Sequence, residues 1–501
     1  MARQVAASDS VLEESNFSKG IIRDTPRTLI PTGGVYDASD FLLHQPGVAI
    51  KRGGTSYAGP ALGTKSYAQG VVWSDFPAGG KLVGIANDGN LYTVTSGTTT
   101  ALGGSTVTTI DKPKLRVGGG KNLLLFPQSN GTGAPVYYDG SASPATITAT
   151  NVSAGKFCAL YKSRLVLANQ SSTPQRMFFS PTLDITTTWD ANSWIDTSYP
   201  VSGLAALSNA LLIFSYGHTE RITGTNPPTT LVPAGDMVLS PLGDVGCTDA
   251  RSIVVVDNNA IFASPRGVYL TNGVSFLCLT QQGLIETYWQ SLFSGYDPST
   301  WIISAGLYRS SFLYISILDN NGASVVNLMC NIPTRAWWRL TNIAPTMFSS
   351  QTTAQEELYY SDRSSARVLK LSGLFSPSSS NKNDANGTAV TPMLETRSVG
   401  PGTGIKSFGF SRVSYYMSDA ASDNPTMALT VKTGIRASGS TTPSESPLLE
   451  TTDVDRKRFT VAKDAQAVAV KLQQSNASAN TEVYGIEVEY RGYPLTSDGV
   501  S

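Results

Sequence analysis

The sequence predicts an all-β protein: a β-propeller-like repeat of about six to seven blades, followed by a C-terminal antiparallel β-sandwich that forms a platform. Hydrophobic residues are 41% of the 501 residues and charged residues only 15%, while 46 glycines and 27 prolines supply many turns. A strand–turn–strand phrase recurs along the chain. After it, roughly one hundred residues alternate apolar and polar side chains, as half-buried antiparallel strands do.

The recurring phrase is clearest at residues 257–273, DNNAIFASPRGVYLTNG, where two apolar runs stand between clusters of turn residues. Each phrase has the composition of a β-hairpin, and the spacing of about 40 to 52 residues is typical of propeller blades. We expect the first strand of each phrase to be the inner strand, buried on both faces. Stacked sandwiches are the alternative, because the phrases share no fixed signature. The other phrases begin near Gly80, Gly120, Lys162, Ser208, Arg309 and Glu357.

Composition divides the chain into five segments. Residues 1–45 are predicted to be an extended N-terminal arm, and residues 46–380 the propeller. The Ser- and Asn-rich stretch before the alternating strands predicts a linker at 381–389. The sandwich is predicted at 390–495, and a short tail at 496–501.

Helix is predicted at residues 281–296, where Leu284, Tyr288 and Leu292 recur at helical spacing. No apolar run approaches the roughly 18 residues that a membrane-spanning helix needs, and the N-terminus lacks the apolar region of a secretory signal. Widely spaced cysteines in apolar contexts are expected to be reduced and buried, in line with a chain made in the cytoplasm. They are Cys158, Cys247, Cys278 and Cys330.

The sequence nominates no catalytic, cofactor-binding or metal-binding residue, and we expect no cofactor. A formal net charge of zero gives no electrostatic sign of tight DNA binding. The two histidines, His44 and His218, are far apart, and His218 is interpreted as a rim residue. The stretch 117–122, VGGGKN, is interpreted as a turn. A phosphate loop would need glycine where Leu115 stands and Ser or Thr where Asn122 stands.

Two other candidates have structural explanations, and for two further kinds of site the sequence nominates no residues. The DNNG stretch at 319–322 offers oxygen ligands without the twelve-residue calcium loop, so a hairpin turn explains it. No zinc motif is present, and the scattered carboxylates nominate no glycosidase pair. Four tryptophans could build an aromatic sugar platform, although packing between blades is the favoured interpretation. They are Trp189, Trp194, Trp337 and Trp338.

Several stretches resemble the tail nozzle or tail hub proteins of short-tailed bacteriophages, of the tail tubular or packaged-DNA-stabilisation type. In the first stretch, an Asn-Phe-x-x-Gly start at 16–20 leads through a proline-rich segment to Arg-Gly-Gly-Thr at 52–55. The likeness extends over residues 16–492 and consists of turn residues and strand order. The stretches are 16–60, 172–180, 245–273 and 485–492.

The resemblance implies a structural virion protein and not an enzyme. It implies a homo-oligomeric ring, expected to be a hexamer, in the tail below the portal and its adaptor, the head-to-tail connector. The ring would be a conduit and seal for genomic double-stranded DNA during ejection, without sequence specificity, and a mount for tail fibres or a needle. We then expect the protein in the virion tail, made and assembled in the host cytoplasm, with no membrane span.

Contacts to neighbouring copies and to the adaptor are expected from the sandwich and the arm, which lie outside the repeat. Loops facing the ring channel are expected to be neutral or acidic, because tight phosphate contacts would resist DNA passage. Two alternatives remain. A carbohydrate-binding, receptor-recognition propeller would carry free aromatic side chains at its blade loops, and a polysaccharide hydrolase or lyase would bring scattered carboxylates into one pocket.

Overall fold

The computed structural model shows a chain built almost entirely of short antiparallel strands, so the all-β, propeller-like fold class is confirmed. It describes residues 10–492 except for 77–78, 108–113, 116–122, 129–130, 142, 183–184, 298–299, 320, 352–356, 372, 374, 376–382, 399–407, 419–425, 434–443, 453–454, 466 and 475–480.

The first strands of the chain are short, and most of them pair with distant parts of the sequence. They are β1 (Ser10–Glu14), β2 (Gly20–Ile21), β3 (Gly34–Ser39), β4 (Phe41–Leu42), β5 (Ala49–Lys51) and β6 (Ser56–Tyr57).

The next part of the chain holds the repeating strands, two short α-helices and one 3₁₀ turn. The strands before the 3₁₀ turn are β7 (Ala68–Phe76), β8 (Gly79–Ala86), β9 (Leu91–Val94), β10 (Thr99–Ala101), β11 (Lys114–Leu115), β12 (Leu124–Phe126), β13 (Val136–Tyr138), β14 (Ala145–Thr146), β15 (Phe157–Tyr161), β16 (Arg164–Gln170), β17 (Thr173–Phe179), β18 (Trp194–Asp196), β19 (Gly203–Ala206), β20 (Leu211–Phe214), β21 (Thr219–Thr223) and β22 (Val238–Gly243). After the 3₁₀ turn (Ala250–Ser252) come β23 (Val254–Val256), β24 (Asn259–Ser264), β25 (Gly267–Thr271), β26 (Phe276–Cys278), α1 (Leu279–Gln282), α2 (Glu286–Leu292), β27 (Ile302–Tyr308), β28 (Phe312–Leu318), β29 (Ser324–Asn331), β30 (Ala336–Leu340), β31 (Pro345–Ser350), β32 (Leu358–Asp362) and β33 (Val368–Lys370).

Within the described residues these strands form seven four-stranded antiparallel units, which together we call the propeller. Six of them take four successive strands, from β7–β10 to β27–β30. The seventh unit takes β31, β32 and β33, and its outermost strand is β6, where Tyr57 pairs with Leu369. Since β31 also lies against β7, the last unit meets the first and the ring closes.

The recurring sequence phrase corresponds to the second and third strands of each unit. The phrase at 257–273, for example, is β24 followed by β25. The expectation that it begins with the innermost strand is therefore wrong. The innermost strand precedes it, and the innermost strands surround a channel of about 330 Å³ with apolar walls, among them Val71, Leu204 and Phe348. The second strand is continuously apolar because adjacent units cover both of its faces, as in β20.

The C-terminal strands form two sheets, which together with β1–β5 we call the platform. One sheet has the order β38–β35–β40–β5–β4, with β1 also on β40. The other continues outward from the sixth propeller unit in the order β30–β2–β3–β34–β39–β36–β37. The strands are β34 (Met393–Thr396), β35 (Phe408–Ser418), β36 (Thr426–Thr433), β37 (Ser444–Thr452), β38 (Asp455–Ala465), β39 (Val468–Gln474) and β40 (Glu482–Gly492).

One hydrophobic core joins the two platform sheets to the propeller. Tyr415 and Val488 of one sheet, Val431 of the other, and Trp337 of the sixth unit belong to the same buried cluster. The described part of the predicted N-terminal arm contributes Phe17 to this cluster. Its strands β1 to β4 form part of the platform sheets.

The predicted helix at 281–296 is only partly correct. The chain forms α1 and α2 there, separated at Leu284, whose backbone has φ +55° and whose side chain is exposed. A left-handed residue cannot continue an α-helix, so Leu284 does not share a face with Tyr288. Neither helix of the described chain has the length and hydropathy needed to cross a membrane.

All four cysteines are free thiols, as expected. Three of them are buried. Cys278 is only half-buried, because it lies at the end of β26, the outermost strand of the fifth unit.

Candidate functional site: the joint between propeller and platform

The Arg-Gly-Gly-Thr element lies where the propeller meets the platform. Arg52 follows β5, and its guanidinium uses all five of its N–H donors. Nε donates to Asp40 Oδ1 at 2.6 Å, and the two terminal nitrogens donate to the two carboxylate oxygens of Asp384 at 2.8 and 2.9 Å. The remaining two donors reach the backbone carbonyls of Gly53 at 3.0 Å and Thr341 at 2.9 Å.

Three distant segments are held together by these bonds. Asp40 lies between β3 and β4 of the platform and also accepts from the backbone N–H and the hydroxyl of Thr341, just after the sixth unit. Asp384 accepts from the backbone N–H of Thr55 at 3.0 Å, and the Thr55 hydroxyl accepts from the backbone N–H of Ala385 at 3.1 Å. We call Arg52, Asp40, Thr55, Thr341 and Asp384 the joint.

Burial makes the joint sensitive to any unpaired charge. Arg52 and Asp40 are fully buried, and Asp384 is 3% exposed. Burial alone would lower the pKa of Arg52, but Asp40 and Asp384 hold that pKa well above its ordinary value. Removing one partner of such a network leaves an uncompensated buried charge, which destabilises a fold far more than losing a surface pair does. The joint is therefore a structural clamp with no solvent-facing reactive group.

Two glycines of the resemblance motifs permit close backbone contacts, one beside the joint and one where β2 meets β30. A Cβ at Gly54 would lie 1.8 Å from the Asn383 carbonyl oxygen. A Cβ at Gly20 would lie 2.5 Å from the Trp337 carbonyl oxygen, and Gly20 has φ +70°. Both glycines are therefore required by packing between segments that are distant in sequence.

Further ion pairs extend the connection between the N-terminal segment and the rest of the fold. Asp37 pairs with Arg23 at 2.9 Å and with Arg339 of the sixth unit at 2.7 Å. Glu395 of β34 pairs with Arg27 at 2.5 Å and with Lys432 of β36 at 3.2 Å. These pairs lie along the sheet that runs from the propeller into the platform, so they stabilise its register.

Two other stretches of the resemblance also make connections inside the fold. Asp249 accepts from the Arg251 guanidinium and from the backbone N–H of Ile303, which ties the fifth unit to the first strand of the sixth. Arg176 pairs with Asp196 at 2.7 Å and lies over the Trp194 ring, linking the two outer strands of the third unit. The residues that carry the resemblance thus build contacts between strands and units.

The tryptophan prediction is confirmed for packing at three positions. Trp337 and Trp338 are fully buried, and Trp189 is 2% exposed. The fourth, Trp194, is half-buried beneath Arg176. Three of these four described tryptophans are buried and the fourth lies against Arg176, so they do not together form a sugar platform.

The remaining candidates of the sequence have local roles. His44 packs edge-on against Phe375 with ring centroids 5.0 Å apart, and burial lowers its pKa. The DNNG turn prediction is confirmed, since Asp319 caps the turn by accepting from the backbone N–H groups of Asn321 and Ala323, both at 2.9 Å. The stretch 117–122 lies outside the described residues. In the part of the chain that the structure describes, no group of three or more His, Cys, Asp or Glu side chains could hold a metal ion.

His218 belongs to an exposed aromatic patch on the fourth unit. Its ring stacks on Tyr199, with centroids 4.3 Å apart and planes 8° from parallel, and its Nδ1 lies 3.0 Å from Asp244 Oδ1. Tyr199 is 45% exposed, and Tyr216, two residues before His218, is 52% exposed. We call Tyr199, Tyr216, His218 and Asp244 the aromatic patch. The sequence pointed to His218 alone.

Sequence reasoning also missed the joint. Asp384 lies in the segment predicted to be a linker, yet it is buried and fixed by Arg52. The one signal was the resemblance, whose Arg-Gly-Gly-Thr element contains Arg52 and Thr55.

No family model matches the sequence, and no curated protein matches it. Among solved structures, an exo-β-1,3-galactanase from Phanerochaete chrysosporium with galactose covers 87% of this chain and 100% of its own at 11% identity, with a TM-score of 0.28. The AfRom2 CNH domain covers 62% and 97% at 10% identity and a TM-score of 0.35. BBS1N in complex with ARL6DN covers 64% and 96% at 11% identity and a TM-score of 0.37. These similarities are too low to support an argument about function.

Proposed function

We propose that the protein is a structural component of a short-tailed bacteriophage tail, where copies assemble head to tail into a ring of six below the portal and adaptor. The observation that carries the proposal is the position of residues 52–55. This element of the resemblance forms the clamp between propeller and platform, which suits a protein that must hold two modules together under load. Breaking such a network of buried charges is costly, so it would keep the propeller and the platform in one fixed arrangement.

In this proposal genomic DNA passes along the axis of the assembled ring and not through a single propeller. The channel within one propeller has a volume of about 330 Å³ and apolar walls, which suit side-chain packing and not a hydrated duplex. Loops from several copies would therefore line the DNA path. A continuous stripe of Lys and Arg along that path in an assembled ring would contradict our expectation of neutral or acidic loops.

The test is negative-stain imaging of the purified protein, alone and after mixing with portal rings that carry the adaptor. We expect closed rings with an axial hole that dock only on the adaptor side. Portal rings without adaptor are the control and should remain bare. Stable monomers that never join the adaptor would refute the proposal.

A second candidate function is carbohydrate binding at the aromatic patch. A tyrosine face backed by a stacked imidazole, with Asp244 beside it, offers a sugar both an apolar surface and a hydrogen-bond acceptor. Such a site would recognise a host surface polysaccharide and is compatible with a place in the tail.

Binding of host capsule oligosaccharides, followed by calorimetry, tests this second candidate. Tyr199→Ala should weaken binding about tenfold, which corresponds to about 1.4 kcal/mol. Tyr484→Ala, which removes a similarly exposed tyrosine of the platform, should leave binding unchanged. Equal effects of the two variants, or no binding by the wild-type protein, would exclude the patch as the binding site.

A further inference from the structure

The connection between β21 and β22 presents apolar side chains on a loop that is held by hydrogen bonds. Leu231 is 91% exposed and Val232 is 56% exposed at its tip, and Val238 at its base is 60% exposed. We call residues 224–238 the plug loop. When a partner covers a large aliphatic side chain that was exposed to water, the free energy of the complex falls.

The plug loop is held in one conformation by two carboxylates. Asp236 accepts from the backbone N–H groups of Asn226 at 2.6 Å and Thr225 at 2.8 Å, and these donors lower its pKa to about 2. Asp190 of the third unit accepts from the backbone N–H of Thr230 at 3.0 Å and from its hydroxyl at 2.9 Å.

Local hydrogen bonds and three prolines restrict the conformation of the loop tip. Thr229 donates its backbone N–H to the Val232 carbonyl at 3.0 Å, which places Leu231 inside a tight turn. Proline occupies positions 227, 228 and 233, where it restricts the unfolded alternatives of the loop. The loop is therefore already ordered, and a partner would bind it without the entropic cost of folding it.

A matching cleft lies between the seventh and first units. It has a volume of about 500 Å³, and its walls include the rings of Trp73 and Tyr359, which stack with centroids 6.1 Å apart. Leu82 and Val94 add aliphatic surface. Its lining also includes Lys81, Thr95 and Lys370.

Charge and position make the two surfaces complementary. The charged residues among those that line the cleft are Lys81 and Lys370, whereas the carboxylates that hold the plug loop are Asp190 and Asp236. Within one copy, the units follow one another around the ring in sequence order, so the loop on the fourth unit lies across the ring from the cleft between units seven and one. They cannot meet inside one chain, but they can meet between two copies.

We infer that the plug loop of one copy inserts Leu231 and Val232 into the cleft between the first and seventh units of a second copy. Such a contact is heterologous, and heterologous contacts build rings when the rotation between copies closes. The inference rests on the proposed ring and names one of its interfaces. A plug of this size buries less than the roughly 1,200 Å² of a stable interface, so platform contacts would complete the association.

Two variants, each with one added cysteine and with the half-buried Cys278 replaced by serine, test the contact directly. Leu231→Cys and Thr95→Cys proteins are mixed and oxidised. A covalent dimer is expected only in the mixture, and a mixture of Leu29→Cys with Thr95→Cys is the control, since Leu29 is 68% exposed elsewhere. Dimers of Leu231→Cys alone would indicate a two-fold contact between plug loops and would overturn the inference.

The association itself is tested by sedimentation velocity. Leu231→Asp should raise the dissociation constant of self-association at least tenfold, whereas Leu29→Asp should leave it unchanged, with the same thermal unfolding for both. Rings that form equally well with Leu231→Asp, together with absent cross-linking, would overturn this inference and leave the ring proposal standing. A wild-type protein that never self-associates would overturn both.

Discussion

The joint and the plug loop are both organised by aspartates, but in opposite surroundings. At the joint, Asp40 and Asp384 share a guanidinium that water cannot reach. In the plug loop, Asp236 binds backbone N–H groups at the surface. The same carboxylate chemistry therefore serves global stability in one region and local shape in the other, and burial decides which.

The largest effect is expected from Arg52→Met. The substitution leaves Asp40 and Asp384 buried without a counter-charge, so we expect a loss of roughly 3–5 kcal/mol in the free energy of unfolding, measured by urea titration. Arg176→Met, which removes a surface pair with Asp196, is the control and should cost about 0.2–1 kcal/mol. Similar losses for the two variants would contradict the role of burial.

Gly54→Ala should have the next largest effect. The new methyl group would overlap the Asn383 carbonyl, and overpacking of this kind costs about 1–3 kcal/mol. Gly97→Ala is the matched control, because nothing lies within 4 Å of its added Cβ. A urea midpoint unchanged in Gly54→Ala would show that the two segments can separate without cost.

Asp236→Asn tests whether the plug-loop carboxylate acts only locally. The substitution should leave the global unfolding midpoint within error of wild type. An amide still accepts a hydrogen bond, but without the charge that strengthens it. We expect faster hydrogen exchange at the amides of Thr225 and Asn226, while exchange in β20 stays unchanged. A large fall in the unfolding midpoint would mean that the plug loop contributes to the core.

Acid should affect the plug loop over a defined range. The folded pKa of Asp236, about 2, lies below its ordinary value of 3.8. Its stabilising contribution is therefore present above about pH 4 and is lost as the pH falls toward 2. A carbon-13 NMR titration of the carboxyl group should give a midpoint near 2, and a midpoint near 4 would show that the backbone bonds are absent in solution.

The recurrence of apolar runs between clusters of turn residues explains why much of the propeller is predictable from the sequence. The second strand of each unit is covered on both faces and reads as a continuous apolar run, as in β20 and β24. The first strands carry less signal because they are not continuously buried along their length, as in β7 and β23. The hairpins could therefore be located in the sequence, but whether they were the inner or the middle strands of each unit could not be predicted.

The joint could not be predicted from the sequence, and the reason is different. Arg52 and Asp384 are 332 residues apart, and no local periodicity relates them. Asp384 stands among Ser, Asn and Gly residues, a composition that also describes exposed loops. Pairing across such a distance is decided by the global fold, which a single sequence does not display.

Closure of the propeller by β6 has a consequence for how the protein is made. Strand β6 is translated roughly 300 residues before its partner β33, which means a delay of about 15–60 s at ordinary elongation rates. Until then the nascent ring is open, and the free edges of its first and last sheets can pair with other chains. Slow elongation or crowded polysomes should therefore favour misassembly between nascent chains.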